Sequence, residues 1–245
     1  MITTSGFQAV ISAKIPLVLA DDDETGTNAL PASPTARQLS VGGPYFGRLG
    51  ADWIIADSNG KANVLYSADD ASSGAIQLAA ATNEFATKCP GCKVTVVHYN
   101  DGSLPKLSTA VSAALISNPN IEYVFNAYDE PGGIYAVQGL KQVKGRKLKF
   151  VAGGGTPVAL QRIRNSDESA SPGIDASAVA WDMADSIFRF VLGVPKVPAY
   201  PLSLRLFTKD NLPQDTADTS AYGTGAWYSD GGFRAMYTKL WGVSA

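Results

Sequence analysis

From residue 61 onward, short runs of β-branched and aromatic residues alternate with longer segments whose apolar residues recur at helical spacing. Strands are predicted over Asn63 to Ser67, Lys93 to His98, Ile121 to Asn126 and Lys147 to Ala152. Between them, helices are predicted over Ser72 to Lys88, Pro105 to Ser117, Pro131 to Val143 and Thr156 to Arg164. Runs such as VTVV, YVF and FVA are apolar on both faces, which suits strands of a parallel sheet covered on both sides by helices. The punctuation agrees. Leu104-Pro105 and Glu130-Pro131 open helices, Asn118-Pro119 closes one, and Thr156-Pro157 sets a capping hydroxyl before a proline at the first turn. The pattern predicts an α/β fold built from right-handed βαβ units.

Upstream, Gly6 to Ala13 predicts a short helix, Ile15 to Ala20 a strand, Leu39 to Val41 a brief strand and Tyr45 to Ala56 a helix. A loop rich in Pro, Ser and Asn runs from Thr25 to Ala36. The turn-forming segment Asp57-Ser58-Asn59-Gly60-Lys61 marks the expected crossing between two lobes. Downstream, Ala176 to Leu192 reads as a helix, Leu202 to Phe207 as a strand, Asp210 to Gly232 as an irregular tail and Phe233 to Trp241 as a short amphipathic segment. The spacing shows no solenoid repeat.

A chain of 245 residues has room for two lobes, and 45% hydrophobic with 17% charged residues makes it globular rather than disordered. The 20 basic residues are balanced by 22 acidic ones. Lys144, Arg146, Lys147 and Lys149 form the densest basic group, a solvated turn rather than the stripe that nucleic acid binding requires. No run reaches the roughly 20 apolar residues needed to span a bilayer, so membrane insertion is not expected. The N-terminus carries no basic region followed by an apolar one, so no signal peptide is read in this chain.

In open parallel sheets ligands bind beyond the carboxyl ends of the strands. The residues following the predicted strands are polar: Asp21, Asp22 and Asp23, then Asp69 and Asp70, then Tyr99, Asn100 and Asp101, then Tyr128 and Asp129, then Gly153 to Thr156. Carboxylates and amides accept paired hydrogen bonds from vicinal hydroxyls, tyrosine rings cover the apolar faces of sugars, and glycines let a ligand approach the backbone. An Asp before a helix is equally a common N-cap, so only the convergence of several points to a site.

Catalysis has little support. His98 is the lone histidine and reads as structural, and no Gly-x-Ser-x-Gly elbow is present. The carboxylates, Glu130 among them, are too common to specify a glycosidase. Gly153-Gly154-Gly155-Thr156 has neither the P-loop nor the dinucleotide spacing, and Asp21 to Glu24 lacks that of an EF-hand. No enzyme activity, cofactor or metal is therefore expected. Cys89-Pro90-Gly91-Cys92 has redox-motif spacing, but it follows a helix instead of opening one, so it lacks the thiol activation of a helix N-terminus. The pair Cys89 and Cys92 reads as a structural disulfide, which favours an oxidising compartment.

The segments Lys14 to Asp22 (KIPLVLADD), Asn118 to Glu130 (NPNIEYVFNAYDE), Phe150 to Pro157 and Val191-Leu192-Gly193 resemble the type I periplasmic binding proteins, which include ribose-binding protein and the LacI-type effector domains. The resemblance covers roughly residues 6 to 210. It implies two doubly wound parallel-sheet lobes joined by a hinge, with a sugar or similar small polar ligand held between them and delivered to an ABC transporter permease. It also implies an extracytoplasmic location. Carried over by position, the ligand contacts are Asp21 and Asp22, Asp70 and Ser73 from the Asp69 to Gly74 loop, Tyr128 with Asp129, Gly154, and Asp175 at the hinge side. Asp22 stands where the family often has Arg, and Gly154 where it usually has Asp.

On this resemblance the N-terminal lobe comprises 1–58 and 176–195, the C-terminal lobe 59–175 and 196–212, and 213–245 is an extension. Family members open with two further βα units, roughly ninety residues, before the Ile-Pro strand. The first lobe as given is therefore expected to be incomplete and the 245-residue chain to be part of a longer protein. The alternative is the ligand-sensing effector domain of a LacI-type transcriptional regulator, which would require an upstream helix-turn-helix.

Overall fold

The computed structural model describes residues 4–22, 29–195, 203–229 and 231–243. In chain order the elements are α1 (Thr4–Ser12), β1 (Leu17–Ala20), β2 (Ala36–Leu39), α2 (Gly43–Asp57), β3 (Asn63–Asp69), α3 (Ser72–Lys88) and β4 (Lys93–Tyr99). A 3₁₀ turn (Leu104–Lys106) leads into α4 (Leu107–Ser117), followed by β5 (Tyr123–Asn126), α5 (Gly132–Gln142), β6 (Lys149–Ala152), α6 (Pro157–Arg164), β7 (Ala170–Ile174), α7 (Ala176–Leu192), β8 (Leu204–Thr208), α8 (Thr219–Gly223) and α9 (Gly232–Trp241).

The chain divides into two compact units, one made of Met1–Gly42, Ile174–Leu204 and Thr219–Ala245, the other of Gly43–Gly173 and Arg205–Asp218. The boundary between these units falls at Gly42, ahead of α2. Close packing of α2 is the reason. A Cβ on Gly47 would sit 2.4 Å from the Gln77 carbonyl of α3, and one on Gly50 would sit 2.2 Å from the Phe125 ring of β5. Two glycines one turn apart thus let α2 lie directly on the second unit's sheet and helix. Residues 213–245 are shared between the units, dividing at Asp218.

The second unit is built on a sheet of order β4-β3-β5-β6-β7-β8. The pairings of β3 with β4 and β5, of β5 with β6 and of β6 with β7 are parallel. Alternation along each strand feeds two cores. Val64, Tyr66 and Ala68 of β3 and Tyr123 and Phe125 of β5 pack with Ala51, Ile54, Ala81 and Phe85 from α2 and α3. Leu65, Val124, Phe150 and Ala152 pack with Leu107, Val111, Leu115, Ala136 and Val137 from α4 and α5. The strand β7 escapes the sequence pattern because its residues ASPGI have turn composition, yet all five are buried. The Pro172 carbonyl accepts from the Gly154 amide at 2.7 Å, which ties β7 to the loop after β6.

In the first unit, β1 and β2 pair in parallel from Leu17↔Ala36 to Ala20↔Leu39. The second strand lies three residues earlier than the apolar pattern suggests. Its polar centre has a partner: Arg37 donates to Ser186 Oγ of α7 at 2.9 Å and lies 3.5 Å from the Asp182 carboxylate. Helix α9 packs on α7 through aromatic rings, with Trp241 stacked on Trp181 at 5.1 Å and Trp241 Nε1 donating to Asp185 at 2.9 Å.

Candidate functional site

The polar residues of the second unit gather at the carboxyl ends of β3 to β6, where the parallel sheet leaves strand ends facing helix N-termini. The best-anchored of them is Tyr128, in the turn after β5. Ser67 of β3 donates to Asn126 Oδ1 at 2.5 Å, Asn126 Nδ2 donates to the Tyr128 carbonyl at 2.6 Å, and the Tyr128 phenol donates to Ser73 Oγ at 3.0 Å. The Gly133 amide adds a fourth tie at 3.0 Å. Buried polar residues inside apolar strands are therefore used to aim one half-buried ring.

Asp69, at the end of β3, accepts from the Ala71 amide at 2.9 Å. Burial raises its carboxyl above the ordinary value; the Ala71 amide opposes this, and Asp101 and Asp70 add to the rise. Asp70 is exposed and pairs with His98 Nδ1 at 2.7 Å. Burial also raises the Tyr99 phenol, with Asp69 contributing.

Asp129 has a different environment from its neighbour Tyr128. It is 1% exposed, accepts from the Thr156 amide at 2.9 Å and from Ser171 Oγ at 3.1 Å, and lies 3.9 Å from Arg162. Burial pushes its carboxyl up to about 6 against the opposing pull of Thr156, Arg162 and Ser171. Gly154 is pressed against it: with φ at 142°, a Cβ would lie 2.7 Å from Asp129 Oδ2. Asp129 and Gly154 thus meet, and the Asp129 carboxylate is held by the protein groups around it.

The first unit holds the other three expected residues. The Asp21 amide donates to the Leu39 carbonyl at 3.0 Å, which ties the end of β1 to β2. Asp22 Oδ1 accepts from Ser40 Oγ and from the Val41 amide at 3.1 Å, so this carboxylate closes the loop after β2. Asp175 is fully buried; it caps α7 by accepting from the Ala178 amide at 3.1 Å and also accepts from Ser229 Oγ at 3.0 Å. The segment carrying Gly225 and Ser229 packs against it. Sequence reasoning missed Ser67, Asn126, Arg162, Glu168 and Ser171. For Asn126 a signal existed, a polar residue ending the apolar run YVFN.

Cys89 and Cys92 are disulfide-bonded in the turn between α3 and β4, before the strand whose far end carries Tyr99. Among the described residues no group of three or more His, Cys, Asp or Glu side chains could hold a metal ion. Among them, too, no helix is long and apolar enough to cross a membrane.

Two compact units, one on a six-stranded parallel-rich sheet with polar residues at its strand ends, define an α/β solute-binding fold of type I. Residues 2–193 match the model of the periplasmic binding protein domain, and the chain belongs to that family. Solved structures agree. GanP, a glucose-galactose binding protein from Geobacillus stearothermophilus, superposes with a TM-score of 0.72 at 14% identity, over 86% of this chain and 75% of that one. An ABC transporter solute-binding protein from Agrobacterium vitis bound with α-D-tagatopyranose gives 0.72 at 17% identity, over 88% and 74%. A Caulobacter myo-inositol binding protein gives 0.70 at 16% identity, over 85% and 71%. No curated protein sequence matches the chain. The family and these neighbours are solute-binding proteins and not enzymes.

Proposed function

We propose that the protein captures a sugar or a similar small polyhydroxylated ligand outside the cytoplasm and hands it unchanged to the permease of an ABC importer. The observation that carries this reading is the fixing of Tyr128 by Ser73 and Asn126 at the carboxyl end of β5. A phenol ring held at that point offers an apolar face to the C–H face of a sugar, and its edge remains polar. Asp69 and Asp70 end the neighbouring strand and supply acceptors for hydroxyls, while Gly153 and Gly154 bring backbone within reach. The proposed contacts are Asp70, Ser73, Tyr128 and the Gly154 main chain of the second unit; Asp21 and Asp22 are further contacts that the family resemblance implies. The neighbours' bound polyols support the ligand class, and the Cys89–Cys92 bond supports an oxidising compartment.

A thermal-shift screen against aldoses, ketoses and inositols tests the reading, because a ligand that binds only the folded state raises the melting temperature. At least one polyol should raise it, and calorimetry with that polyol should then show Asp21→Asn weakening affinity by about 1.5–3 kcal/mol. A chain that binds none of them, or that converts the polyol to a new product, overturns the proposal.

A further inference from the structure

Beneath the Tyr128 turn, three charged side chains are packed together out of water. Arg162 of α6 donates through Nε to Glu168 Oε2 at 2.7 Å and through Nη2 to the Asp129 carbonyl at 3.2 Å, and lies 3.9 Å from the Asp129 carboxylate. Their side chains are 10%, 0% and 1% exposed for Arg162, Glu168 and Asp129. β5 leads into Asp129, α6 carries Arg162, the turn before β7 carries Glu168, β7 brings Ser171 and the loop after β6 brings the Thr156 amide, while Phe150 of β6 and Gly133 of α5, which carry no titratable group, pack against the Arg162 guanidinium. Arg162 is the single cation of the group, so two ionised carboxylates would leave one buried negative charge without a counter-charge.

The hydrogen bonds say which carboxylate is the poorer ion. Asp129 is solvated by Thr156 and Ser171, as an anion requires. Glu168 keeps one oxygen, Oε1, buried without a partner, and an orphaned carboxylate oxygen costs far more than an orphaned hydroxyl. We propose that Asp129 and Glu168 together hold one proton across Arg162 in the folded protein at neutral pH, carried on Glu168, so that the brace under the Tyr128 turn is proton-linked. Burial drives the Glu168 carboxyl well above its ordinary value and Asp129 adds to it, while Arg162 and the Ala152 amide pull the other way.

The direction of the linkage follows. The folded state binds a proton that the unfolded chain releases above its ordinary carboxylate range, about 4.3 for Glu. The stabilisation is complete below that range and is lost progressively as pH rises toward the folded value. Glu168→Gln mimics the protonated acid, so it removes this dependence. Thermal melts of the full chain and of Glu168→Gln between about pH 5 and pH 8 should show a variant that gains steadily on the wild type as pH rises. A variant less stable than the wild type by a constant margin across that range overturns the proposal, because it would mean that Glu168 is ionised and paired. Should Glu168→Gln fail to fold, infrared spectra of the wild type decide: the carbonyl stretch of a neutral carboxylic acid must be present at pH 7, and its absence overturns the proposal.

Discussion

The phenol of Tyr128 donates to the hydroxyl of Ser73 at 3.0 Å, joining the turn after β5 to the first turn of α3 across 55 residues of sequence. Tyr128→Phe and Ser73→Ala should each lower stability by about 0.5–1.5 kcal/mol, and the double variant should cost little more than either alone. Urea denaturation of the three variants checks this. Fully additive losses would show that the two groups do not meet.

Gly154→Ala should destabilise the second unit by about 1–3 kcal/mol, because an alanine at φ of 142° is strained and its methyl would strike the Asp129 carboxylate. The urea midpoint should fall with an unchanged slope. An unaltered midpoint would mean that the Gly153 to Thr156 loop moves freely to make room.

Asp175→Ala should cost about 1–2 kcal/mol, since it removes both the α7 cap and the acceptor of Ser229. Asp175→Asn keeps the capping oxygen and should recover most of that loss. Equal losses for the two would point to the negative charge, and not the cap, as the contribution.

Reducing the Cys89–Cys92 bond should lower stability by no more than about 2 kcal/mol, because a bridge across a separation of three residues removes little entropy from the unfolded chain. Thiol alkylation of unreduced protein from an oxidising compartment, read by mass spectrometry, should find no free thiol.

Much of the second unit is legible along the chain because its determinants are local. An apolar run such as VTVV sits between cores on both faces, and Thr156 followed by Pro157 opens α6, with its hydroxyl accepting from the Ala159 amide. By contrast, β7 reads as a turn from its Pro and Gly, and only the strand beside it, β6, makes those residues part of a sheet. The helix α2 reads from its period, but what it packs on does not, since that depends on Gly47 and Gly50 meeting α3 and β5.

For the site, the residues that end the strands can be read along the chain, because strand period and turn composition are properties of neighbours in sequence. That pattern places Asp69, Asp70, Tyr128, Asp129 and Gly154 at strand ends without reference to any partner. What those groups do depends on segments that meet only in the folded chain. Asp129 and Asp175 look no different from Asp70 along the chain, but Ser171 lies 42 residues from Asp129 and Ser229 lies 54 from Asp175. A carboxylate's role is set by burial and by the donors that reach it, and those donors arrive from distant segments that no local pattern records.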